Sequence, residues 1–353
     1  MKKKILISTG GSGGHVIPAL SIYEHLKDKY DIVFSTDLRG EKFLYNQLND
    51  YVVINTPKLE NKILLPFNIL IIIFLTIRCL FLIKKERIEF LFSTGGYMSL
   101  PLCLASKILS KHIYLLEPNM VLGRANRFFL NSCKKIFCYS DNIKNFPQKN
   151  LNKKFLINPI VRKSFFEDHN NNHKNYKFEI VIIGGSQGAS FFNKFFHEAF
   201  KNINENFSLK IFHQTNKDNI KFLSEFYSLN NIENKVFSYE KKLSELIKKS
   251  DFCITRAGAS TLSELVILNI PFLAIPLPDS KDNHQYENAS FYKDKGFSWI
   301  INQNELNQKK IEDFFFNILK NREEYDNKKK RMENFRIRNS WIDNNKKILD
   351  SIE

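Results

Sequence analysis

Lys4–Ser8, a nearly continuous apolar run KILIS, leads directly into the glycine-rich stretch Gly10–His15, GGSGGH. The same arrangement returns in the second half of the chain, where Glu179–Ile183 precedes Gly184–Ala189, GGSQGA. Apolar runs of this kind are typical of strands buried on both faces of a parallel sheet. Glycine lets the backbone turn sharply into a helix, whose N-terminus favours an anion. The repetition therefore predicts two nucleotide-type α/β domains with a cleft between them.

Neither glycine loop fits the commoner nucleotide-binding fingerprints. Val16 stands where the dinucleotide pattern needs Gly or Ala, and no Gly-Lys-Ser/Thr ending follows either loop. The alternative is that the glycines only allow tight strand-to-helix turns, an explanation that weakens when the loop occurs twice.

Strand and helix signals alternate along both halves of the chain, a rhythm typical of an α/β fold. The further strand candidates are Ile32–Phe34, Val52–Ile54, Phe90–Phe92, Ile113–Leu116, Ile136–Cys138, Leu209–Phe212, Val236–Phe237, Phe252–Thr255 and Phe272–Ile275. From about Gln308 the pattern is helical and rich in lysine. The polar stretch Asp168–Tyr176 predicts a surface loop whose two histidines are solvated rather than metal ligands.

The composition predicts a protein with an acidic partner. Lys and Arg number 53 against 37 Asp and Glu, a formal net charge of +16 over 353 residues. Such a surface suits nucleic acid, anionic lipid or a phosphorylated substrate, although abundant Lys, Asn, Ile and Phe also mark proteins from AT-rich genomes. The five cysteines are scattered without a C-x-x-C pair, and no signal-peptide core follows the N-terminus. We therefore expect reduced core cysteines in a protein that stays inside the cell.

The run Ile63–Ile83, followed by the charged cluster at 84–87, approaches the length of a membrane span. It is interrupted by Pro66, Asn68 and Arg78. Three alternatives stay open: a spanning helix, a wholly buried helix, and a helix partly exposed to the membrane interface. The third alternative predicts that apolar residues of the run face the membrane. The residues expected to do so, and therefore suited to substitution, are Ile72, Phe74 and Leu75.

A third phosphate-type turn, Arg256–Glu264, follows a strand candidate in the second half. Gly258 is expected to allow the turn, and Ser260 or Thr261 to cap the helix that follows. Backbone N–H groups there can hold a diphosphate, while Glu264, about one turn inside the helix, accepts from two ribose hydroxyls. The alternative is that Glu264 closes an ordinary capping box.

Asp282–Gln285, DNHQ, follows the next strand candidate through a proline-stiffened loop. Amide and imidazole groups at the carboxyl end of a strand suit sugar hydroxyls and phosphate oxygens. The sequence contains no Asp-x-Asp pair and no His, Asp or Glu cluster with metal-ligand spacing. We therefore expect no metal and no cofactor, and expect helix ends and cations to neutralise a leaving diphosphate.

In order and spacing, these motifs resemble the MurG-type UDP-N-acetylglucosamine transferases of bacterial peptidoglycan synthesis. The resemblance covers essentially the whole chain and is carried by Gly10–His15, Gly95–Tyr97, Glu117 with Asn119, Gly184–Ala189, Arg256–Glu264 and Asp282–Gln285. It implies the GT-B fold of two Rossmann-like domains, and inverting transfer of GlcNAc from UDP-GlcNAc to lipid I to make lipid II. It also implies a peripheral place on the cytoplasmic face of the bacterial inner membrane, with anionic lipids as partner and no nucleic acid.

The same resemblance implies a division of labour between the domains. Residues 1–160 are expected to form the acceptor-binding and membrane-facing domain, with a C-terminal helix at about 337–353 packing back on it. Residues 161–336 are expected to bind UDP-GlcNAc. The implied substrate-binding residues are Ser12, Gly13, Gly14, Tyr97, Asn119, Arg162, Ser186, Gln187, Gly188, Ala259, Ser260, Thr261, Leu262, Ser263, Glu264, His284 and Gln285.

His15 resembles the family's candidate catalytic histidine. Its place at a helix start favours the neutral, basic imidazole. The alternative is that His15 only hydrogen-bonds sugar or phosphate, and Glu117 is the other candidate base. Two segments depart from the family pattern: Leu116–Asn119 stands in place of His-Glu-Gln-Asn, and Asn158–Arg162 in place of Gly-Asn-Pro-Val-Arg.

Two other functions remain open. One is another GT-B UDP-sugar enzyme, such as a UDP-GlcNAc epimerase or a different glycosyltransferase, against which the apolar run Ile63–Ile83 argues because a soluble sugar needs no membrane. The other is a nucleic-acid-binding protein, for which the sequence offers charge but neither an RNA module nor interleaved aromatic and basic residues.

Overall fold

The computed structural model describes residues 2–44, 48, 50–59, 63–166, 177–240 and 242–352, without the side chains of 185–189. The chain forms two compact units: unit 1 comprises Met1–Ser164 and Trp341–Glu353, and unit 2 comprises Phe165–Ser340. Each division lies four residues beyond the one expected from the sequence. The polar stretch Asp168–Tyr176, with its two histidines, lies outside the described residues.

Unit 1 is built on a parallel seven-stranded sheet in the order β3-β2-β1-β4-β5-β6-β7. Its strands are β1 Lys4–Ser8, β2 Asp31–Thr36, β3 Val52–Val53, β4 Phe90–Ser93, β5 His112–Glu117, β6 Lys135–Cys138 and β7 Lys154–Leu156. The helices between them are α1 Gly13–Leu26, α2 Glu41–Leu44, α3 Leu65–Lys85, α4 Leu100–Ile108 and α5 Arg124–Phe129. The strand order reverses at β1 and β4, and a crevice for ligands forms outside the carboxyl ends at such a point.

The C-terminal helix α13, Trp341–Ile352, belongs to unit 1. The ring of Trp341 stacks on His25 of α1, with centroids 3.6 Å apart and planes at 12°. His25 Nδ1 also donates to Asn345 Oδ1 at 2.9 Å, and the hydroxyl of Tyr114 donates to the Ile352 carbonyl at 3.0 Å. The tail therefore completes the core of the first unit.

Unit 2 is built on a parallel six-stranded sheet in the order β10-β9-β8-β11-β12-β13. Its strands are β8 Phe178–Ile183, β9 Leu209–Gln214, β10 Glu233–Phe237, β11 Phe252–Thr255, β12 Phe272–Ala274 and β13 Ser298–Ile300. Its helices are α6 Gly185–Asn204, α7 Ile220–Leu229, α8 Leu243–Lys249, α9 Ala259–Ile267, α10 His284–Asp294, α11 Gln308–Lys320 and α12 Glu323–Arg338.

Strand β8 shows why the apolar runs became central strands. Ile180 and Ile182 belong to a core cluster that includes Phe192 and Phe196 of α6, whereas Val181 belongs to a cluster on the opposite face. All six residues of β8 are buried, as a strand covered on both faces requires. The predicted α/β architecture of two parallel-sheet units is therefore confirmed, and so are the predicted strands.

The strands that the sequence did not predict are β7 and β13. Their sequences, KFL and SWI, are three residues long. Each lies at an edge of its sheet and pairs with one neighbouring strand. Such short segments carry too little periodicity to be recognised without their partners.

Helix α3 has two faces of different character. Its inner face, which packs within unit 1, consists of Asn68, Ile72, Leu75, Thr76, Cys79 and Ile83, all at most 8 % exposed. On the other side lies the outer stripe, a row of side chains at spacings of three and four residues that are 47–88 % exposed: Ile63, Phe67, Leu70, Phe74, Ile77 and Phe81. The wholly buried alternative is therefore wrong, and of the three residues chosen from the sequence only Phe74 faces outward.

Among the described residues, α3 is one helix that is long and apolar enough to cross a membrane, judged by length and composition alone. However, α3 connects β3 to β4, and both strands belong to the same sheet. A single crossing of a bilayer would place these strands on opposite sides of it. The spanning alternative is therefore wrong. The alternative that remains is a helix that packs one face against the protein and exposes the other.

Candidate active site

The polar residues of unit 1 gather where its strands end. The first glycine loop follows β1, the Gly95–Tyr97 turn follows β4, and Glu117 is the last residue of β5. Because β1, β4 and β5 are neighbours in a parallel sheet, these loops meet at one edge. Thr94 links the first glycine loop to the Gly95–Tyr97 turn. Its backbone N–H donates to the Ser8 carbonyl oxygen, and its hydroxyl donates to Thr9 Oγ1 at 2.8 Å.

The imidazole of His15 has a defined tautomer. Its Nδ1 lies 2.9 Å from the carbonyl oxygen of Thr94. A carbonyl oxygen can only accept, so Nδ1 carries the proton and the lone pair of the neutral ring is on Nε2. Nε2 lies 3.5 Å from the position that a Cβ would take on Gly96, whose φ is +80°. Glycine at 96 therefore fits the turn, where a Cβ would also collide with the side chain of Met98.

Glu117 is engaged by its own segment. Its Oε1 accepts from the backbone and side-chain nitrogens of Asn119 at 3.2 and 3.1 Å. Its Oε2 accepts from Gly123 N at 2.7 Å and from Asn126 Nδ2 at 2.9 Å. The carboxyl group is 2 % exposed, and this burial raises its pKa even though the four donors favour the charged form. Glu117 thus shapes the 117–126 segment and orients Asn119.

The structure also adds residues that sequence reasoning missed. Asp37 directly follows β2 and accepts a hydrogen bond from Gly11 N at 2.7 Å, within the first glycine loop. Arg39 pairs with Asp37 and stacks on Tyr97, its guanidinium carbon 5.0 Å from the ring centroid. The signal that could have drawn attention to Asp37 is its position just after a strand, at the carboxyl end where ligands bind in parallel sheets.

The remaining predicted residues of unit 1 are dispersed around this edge. Ser12 precedes α1 as an exposed N-cap residue, and its side chain makes no capping hydrogen bond. Gly13 and Gly14 are the first residues of α1. Arg162 is half-buried in the loop after β7, where the backbone N–H of Ile160 donates to the Tyr139 hydroxyl at 3.1 Å.

In unit 2, the predicted residues follow the adjacent strands β8, β11 and β12. The second glycine loop, with Gly188, opens α6, but the side chains of Ser186 and Gln187 lie outside the described part. After β11, α9 begins at Ala259 with Gly258 as its N-cap residue. Gly258 has φ of −71°, so the turn that it was expected to allow does not need a left-handed conformation at this position.

The start of α9 differs from the prediction in three further respects. Ser260 and Thr261 lie inside the first turn rather than at the cap, and Glu264 is the sixth helical residue, too far along to close a capping box. Leu262 is fully buried in the core, and the buried Ser263 hydroxyl bonds to Ala259 O at 2.8 Å. The side chains of Leu262 and Ser263 therefore serve packing rather than binding.

The first turn of α9 nevertheless has unmet hydrogen-bonding capacity. Ser260 Oγ is buried and has no hydrogen-bond partner among the described residues. It lies where backbone N–H groups of a helix start point outward and favour an anion. Glu264 is half-buried one turn further along. These groups suit a ligand that combines phosphate oxygens with hydroxyls.

Neutral amide groups tie the loops of unit 2 together. Gln285 Oε1 accepts from Leu277 N at 3.0 Å and from Ala257 N at 3.3 Å, so one side chain joins the loops after β11 and β12. Asn288 Nδ2 donates to the Ala257 carbonyl at 3.1 Å. His284 Nδ1 donates to the Lys281 carbonyl at 2.8 Å, a local bond at the start of α10.

Arg256 is a buried brace for the same loops. Its guanidinium donates to Ile275 O at 3.1 Å and to Gln303 Oε1 at 2.7 Å, and it lies 4.9 Å from the Phe192 ring centroid. Burial lowers the pKa of Arg256 to about 10, which leaves it charged at neutral pH. Sequence reasoning placed Arg256 in the motif but did not assign it this role.

The described residues contain no group of three or more His, Cys, Asp or Glu side chains that could hold a metal ion. All five cysteines are free and buried, as predicted for core residues. Burial raises the pKa of Cys103 to about 12, so this thiol does not ionise at neutral pH.

Comparison with known proteins gives consistent matches along the chain. The glycosyltransferase family 28 N-terminal domain matches residues 5–138, and the glycosyltransferase family 28 C-terminal domain matches residues 179–340. The UDP-N-acetylglucosamine--N-acetylmuramyl-(pentapeptide) pyrophosphoryl-undecaprenol N-acetylglucosamine transferase of Pelagibacter ubique is 46 % identical, over 100 % of this chain and 99 % of the relative.

Solved structures share the fold at lower identity. The crystal structure of MurG from Acinetobacter baumannii superposes with a TM-score of 0.74 and 23 % identity over 94 % of each chain. A UDP-N-acetylglucosamine 2-epimerase superposes with a TM-score of 0.64 and 12 % identity, over 94 % of this chain and 91 % of that one. The fold alone therefore does not separate transferase from epimerase, whereas the full-length similarity to the Pelagibacter protein does.

Proposed function

The chain belongs to the MurG family of glycosyltransferases, and from this premise we propose that it moves N-acetylglucosamine from UDP-GlcNAc to lipid I, making lipid II for peptidoglycan. We further propose an inverting reaction that needs no divalent metal, with His15 as the base. The observation that carries the mechanism is the hydrogen bond from His15 Nδ1 to the Thr94 carbonyl, because it leaves the basic lone pair on Nε2.

His15 then takes the proton from the acceptor hydroxyl as that oxygen attacks the anomeric carbon of GlcNAc. The bond from the anomeric carbon to the UDP oxygen breaks as the new glycosidic bond forms, through an oxocarbenium-like transition state. The Thr94 carbonyl stabilises the imidazolium that results, because it accepts from the N–H that becomes more acidic.

Glu117 is assigned a positioning role rather than the role of base. A general base needs a lone pair directed at the proton that it removes, and both oxygens of Glu117 already accept two hydrogen bonds each. Its contribution is to hold Asn119, whose amide remains a proposed contact to substrate. Tyr97, Arg162 and the Ser12–Gly14 loop complete the proposed binding residues of unit 1.

Unit 2 is assigned the donor. The first turn of α9 supplies backbone N–H groups and the Ser260 hydroxyl to the diphosphate, and Glu264 accepts from the ribose hydroxyls. Gln285 keeps the loops after β11 and β12 in register around it. The helix start and nearby cations stabilise the charge that develops on departing UDP.

The test of the proposed function is transfer of radiolabelled GlcNAc from UDP-GlcNAc to lipid I in detergent micelles. We expect a product with the mass of lipid II and a β-linked sugar. Conversion of UDP-GlcNAc to its 2-epimer without an acceptor would contradict the proposal and favour the epimerase alternative. Water in place of lipid I is the control for simple hydrolysis of the donor.

The outer stripe of α3 supports a peripheral place on the cytoplasmic leaflet. Five large apolar side chains of the helix, with Ile63 just before it, are exposed along one side, and Arg78, Lys84 and Lys85 are exposed on the same helix. An apolar stripe gains free energy by dipping into the acyl region, and each nearby cation adds about 1 kcal/mol at an anionic surface. Such an arrangement suits an enzyme whose acceptor is anchored in the membrane.

Vesicle flotation tests this placement. Replacing Leu70, Phe74 and Phe81 with Ser should abolish binding to anionic vesicles while UDP affinity stays unchanged, because all three are outside the core. The matched control is Phe222→Ser with Leu229→Ser on α7, which removes exposed apolar side chains from unit 2. Binding should weaken but persist at high salt, since screening acts on the cations alone. Undiminished flotation of the triple variant would contradict the proposal.

A further inference from the structure

We propose that Asp37 is a positioning residue for the transfer reaction, holding the two glycine turns that flank His15. One turn is held directly through Gly11, and the other through Arg39 and Tyr97. The inference rests on the proposed function, because it concerns the base of that reaction. Asp37 lies outside every motif that carries the family resemblance.

The carboxylate of Asp37 is the centre of a closed set of hydrogen bonds. Its Oδ1 accepts from Gly11 N at 2.7 Å and from Gly40 N at 2.9 Å. Its Oδ2 accepts from Arg39 Nη2 at 2.8 Å and from Arg39 Nε at 3.1 Å. Asp37 is 1 % exposed, so each oxygen has two donors in place of water. A buried carboxylate with such partners resists displacement, because losing any donor leaves a charge unsatisfied.

The backbone around Asp37 leaves little room for another arrangement. A Cβ on Gly10 would lie 2.7 Å from Asp37 Oδ1, and a Cβ on Gly40 would lie 3.1 Å from the Cα of Gly10. The loop after β1 and the loop after β2 are thus in direct contact through glycine. Gly11 has φ of +79°, a conformation that the Asp37 bond stabilises at the entrance to α1.

Arg39 carries the same constraint to the second turn. Its guanidinium stacks on Tyr97 and lies 3.4 Å, at Nη2, from the position that a Cβ would take on Gly11. Tyr97 follows Gly96, which faces His15 Nε2. The bidentate pair with Asp37 fixes the guanidinium plane, so the ring of Tyr97 has a fixed partner.

The charge state of Asp37 agrees with this geometry. Burial by itself would raise its pKa, but the donors from Gly11, Arg39 and Gly40 outweigh burial and hold the pKa below the usual value. The carboxylate is therefore ionised throughout the neutral range. Both turns remain tied to it under the conditions in which the enzyme works.

Three variants separate the two arms of this arrangement. Asp37→Asn keeps an oxygen for Gly11 and Gly40 but turns an amide donor toward Arg39, so it breaks the second arm alone. Arg39→Ala breaks the same arm from the other side, and Asp37→Ala breaks both arms. Asp31→Asn, which removes an exposed carboxylate from the opposite end of β2, is the matched control.

We expect kcat for GlcNAc transfer to fall about 10-fold in Asp37→Asn and Arg39→Ala and about 100-fold in Asp37→Ala, the scale of a small misplacement of a catalytic group. The double variant Asp37→Asn/Arg39→Ala should be no worse than either single one. Arg39→Lys should retain part of the activity. Urea unfolding of unit 1, read from the fluorescence of Trp341, should remain cooperative in every variant, because a variant whose unit 1 fails to fold would show no such transition.

The inference is overturned if Asp37→Asn and Arg39→Ala keep kcat within about twofold of the wild type, or if their effects multiply in the double variant. If Asp37→Ala does not fold, the other two variants still decide. A wild-type protein that makes no lipid II would instead refute the proposed function. If the wild type makes lipid II and the Asp37 and Arg39 variants have normal kcat, only the role of Asp37 is refuted.

Discussion

The two units use the same strand order around their central strands but stabilise their loops with different chemistry. In unit 1, two carboxylates hold the loops: Asp37 binds the first glycine loop and Glu117 binds its own segment, while His15 bonds to Thr94. In unit 2, the amides of Gln285 and Asn288 and the guanidinium of Arg256 hold the loops after β11 and β12. The difference agrees with the proposed division of labour, in which the base lies in unit 1 and the nucleotide binds to unit 2.

The physical reason for this division is the sensitivity of each task to charge. A base must be held in place, because a misplacement of about 1 Å can cost about 100-fold in rate. A buried carboxylate that accepts several hydrogen bonds is costly to displace, because losing a partner leaves its charge unsatisfied. A nucleotide diphosphate brings its own negative charge, so N–H groups and hydroxyls attract it, while the carboxylate of Glu264 is assigned to the uncharged ribose hydroxyls. Each of the following predictions breaks or sharpens this contrast.

The largest effect is expected from His15→Ala, which removes the proposed base from unit 1. We expect kcat to fall by roughly 10²–10⁴-fold, the usual contribution of a general base, with UDP affinity unchanged. The control is His112→Ala, which removes an exposed histidine from the other end of β5. Single-turnover transfer and calorimetry measure the two quantities. If His15→Ala loses UDP binding but keeps a high residual turnover, His15 binds the donor and is not the base. The contrast between the two units would then disappear.

A smaller effect concerns acid and the stability of unit 1. Burial lowers the pKa of His25 to about 4, below the unfolded value of 6.5. The native state therefore favours the neutral ring. The contribution of neutral His25 to the free energy of unfolding is complete above pH 6.5 and is lost as the pH falls toward 4. The free energy of unfolding should drop by roughly 3 kcal/mol over that interval, and by less in His25→Phe, which keeps the stack on Trp341.

Tryptophan fluorescence makes that measurement specific to one unit. The sequence has two tryptophans, and Trp341 stacks on His25 while Trp299 packs against Phe252 in unit 2. Urea unfolding in a Trp299→Phe background therefore reports unit 1 alone. If the free energy of unfolding of His25→Phe depends on pH as that of the wild type does, other groups set the acid limit of stability. A loss of activity below pH 6.5 would then be assigned to the active-site loops of unit 1.

The donor side of the contrast is tested by Glu264→Ala in α9. We expect the free energy of UDP binding to weaken by about 1.5–3 kcal/mol, the range for hydrogen bonds to a charged group. Ser263→Ala is the neighbouring control, because the Ser263 hydroxyl is buried against Tyr292 at 3.0 Å. Calorimetry with UDP measures both. Equal affinity in Glu264→Ala and the wild type would remove the ribose assignment.

The smallest expected effect is that of a chelator. Because helix starts and cations are proposed to stabilise the leaving UDP, transfer should continue unchanged in excess EDTA. The measurement is the initial rate with and without EDTA, with added Mg²⁺ as the control. Abolished activity that Mg²⁺ restores would mean that the N–H groups of unit 2 do not suffice.

The sequence predicted those features that depend on local chemistry. KILIS and EIVII are apolar at nearly every position, so burial on both faces and a central place in a sheet followed directly. The glycine loops, the α9 turn and the DNHQ segment were found because each follows such a strand. The local apolar pattern also located helix α3, although it did not show which residues form the outer stripe.

Other features depend on partners that are distant in the chain. The tautomer of His15 follows from Thr94, 79 residues away, which no local pattern reveals. In α3 nearly every position is apolar, so periodicity does not show that Ile72 and Leu75 point inward while Phe74 points outward. Asp37 was missed for the same reason, since only the pairing of β1 with β2 brings it to Gly11.

The inclusion of α13 in unit 1 has a consequence for protein synthesis. The ribosome makes all of Phe165–Ser340 before it makes α13, a delay of roughly 10–35 s at about 5–20 residues per second. During that time His25 lacks Trp341, and the surface that later covers the buried Ile348 stays open to water. Unit 2 can complete its own core meanwhile. The part of unit 1 that precedes unit 2 in the chain therefore waits for the whole of unit 2 to be translated before its core is complete.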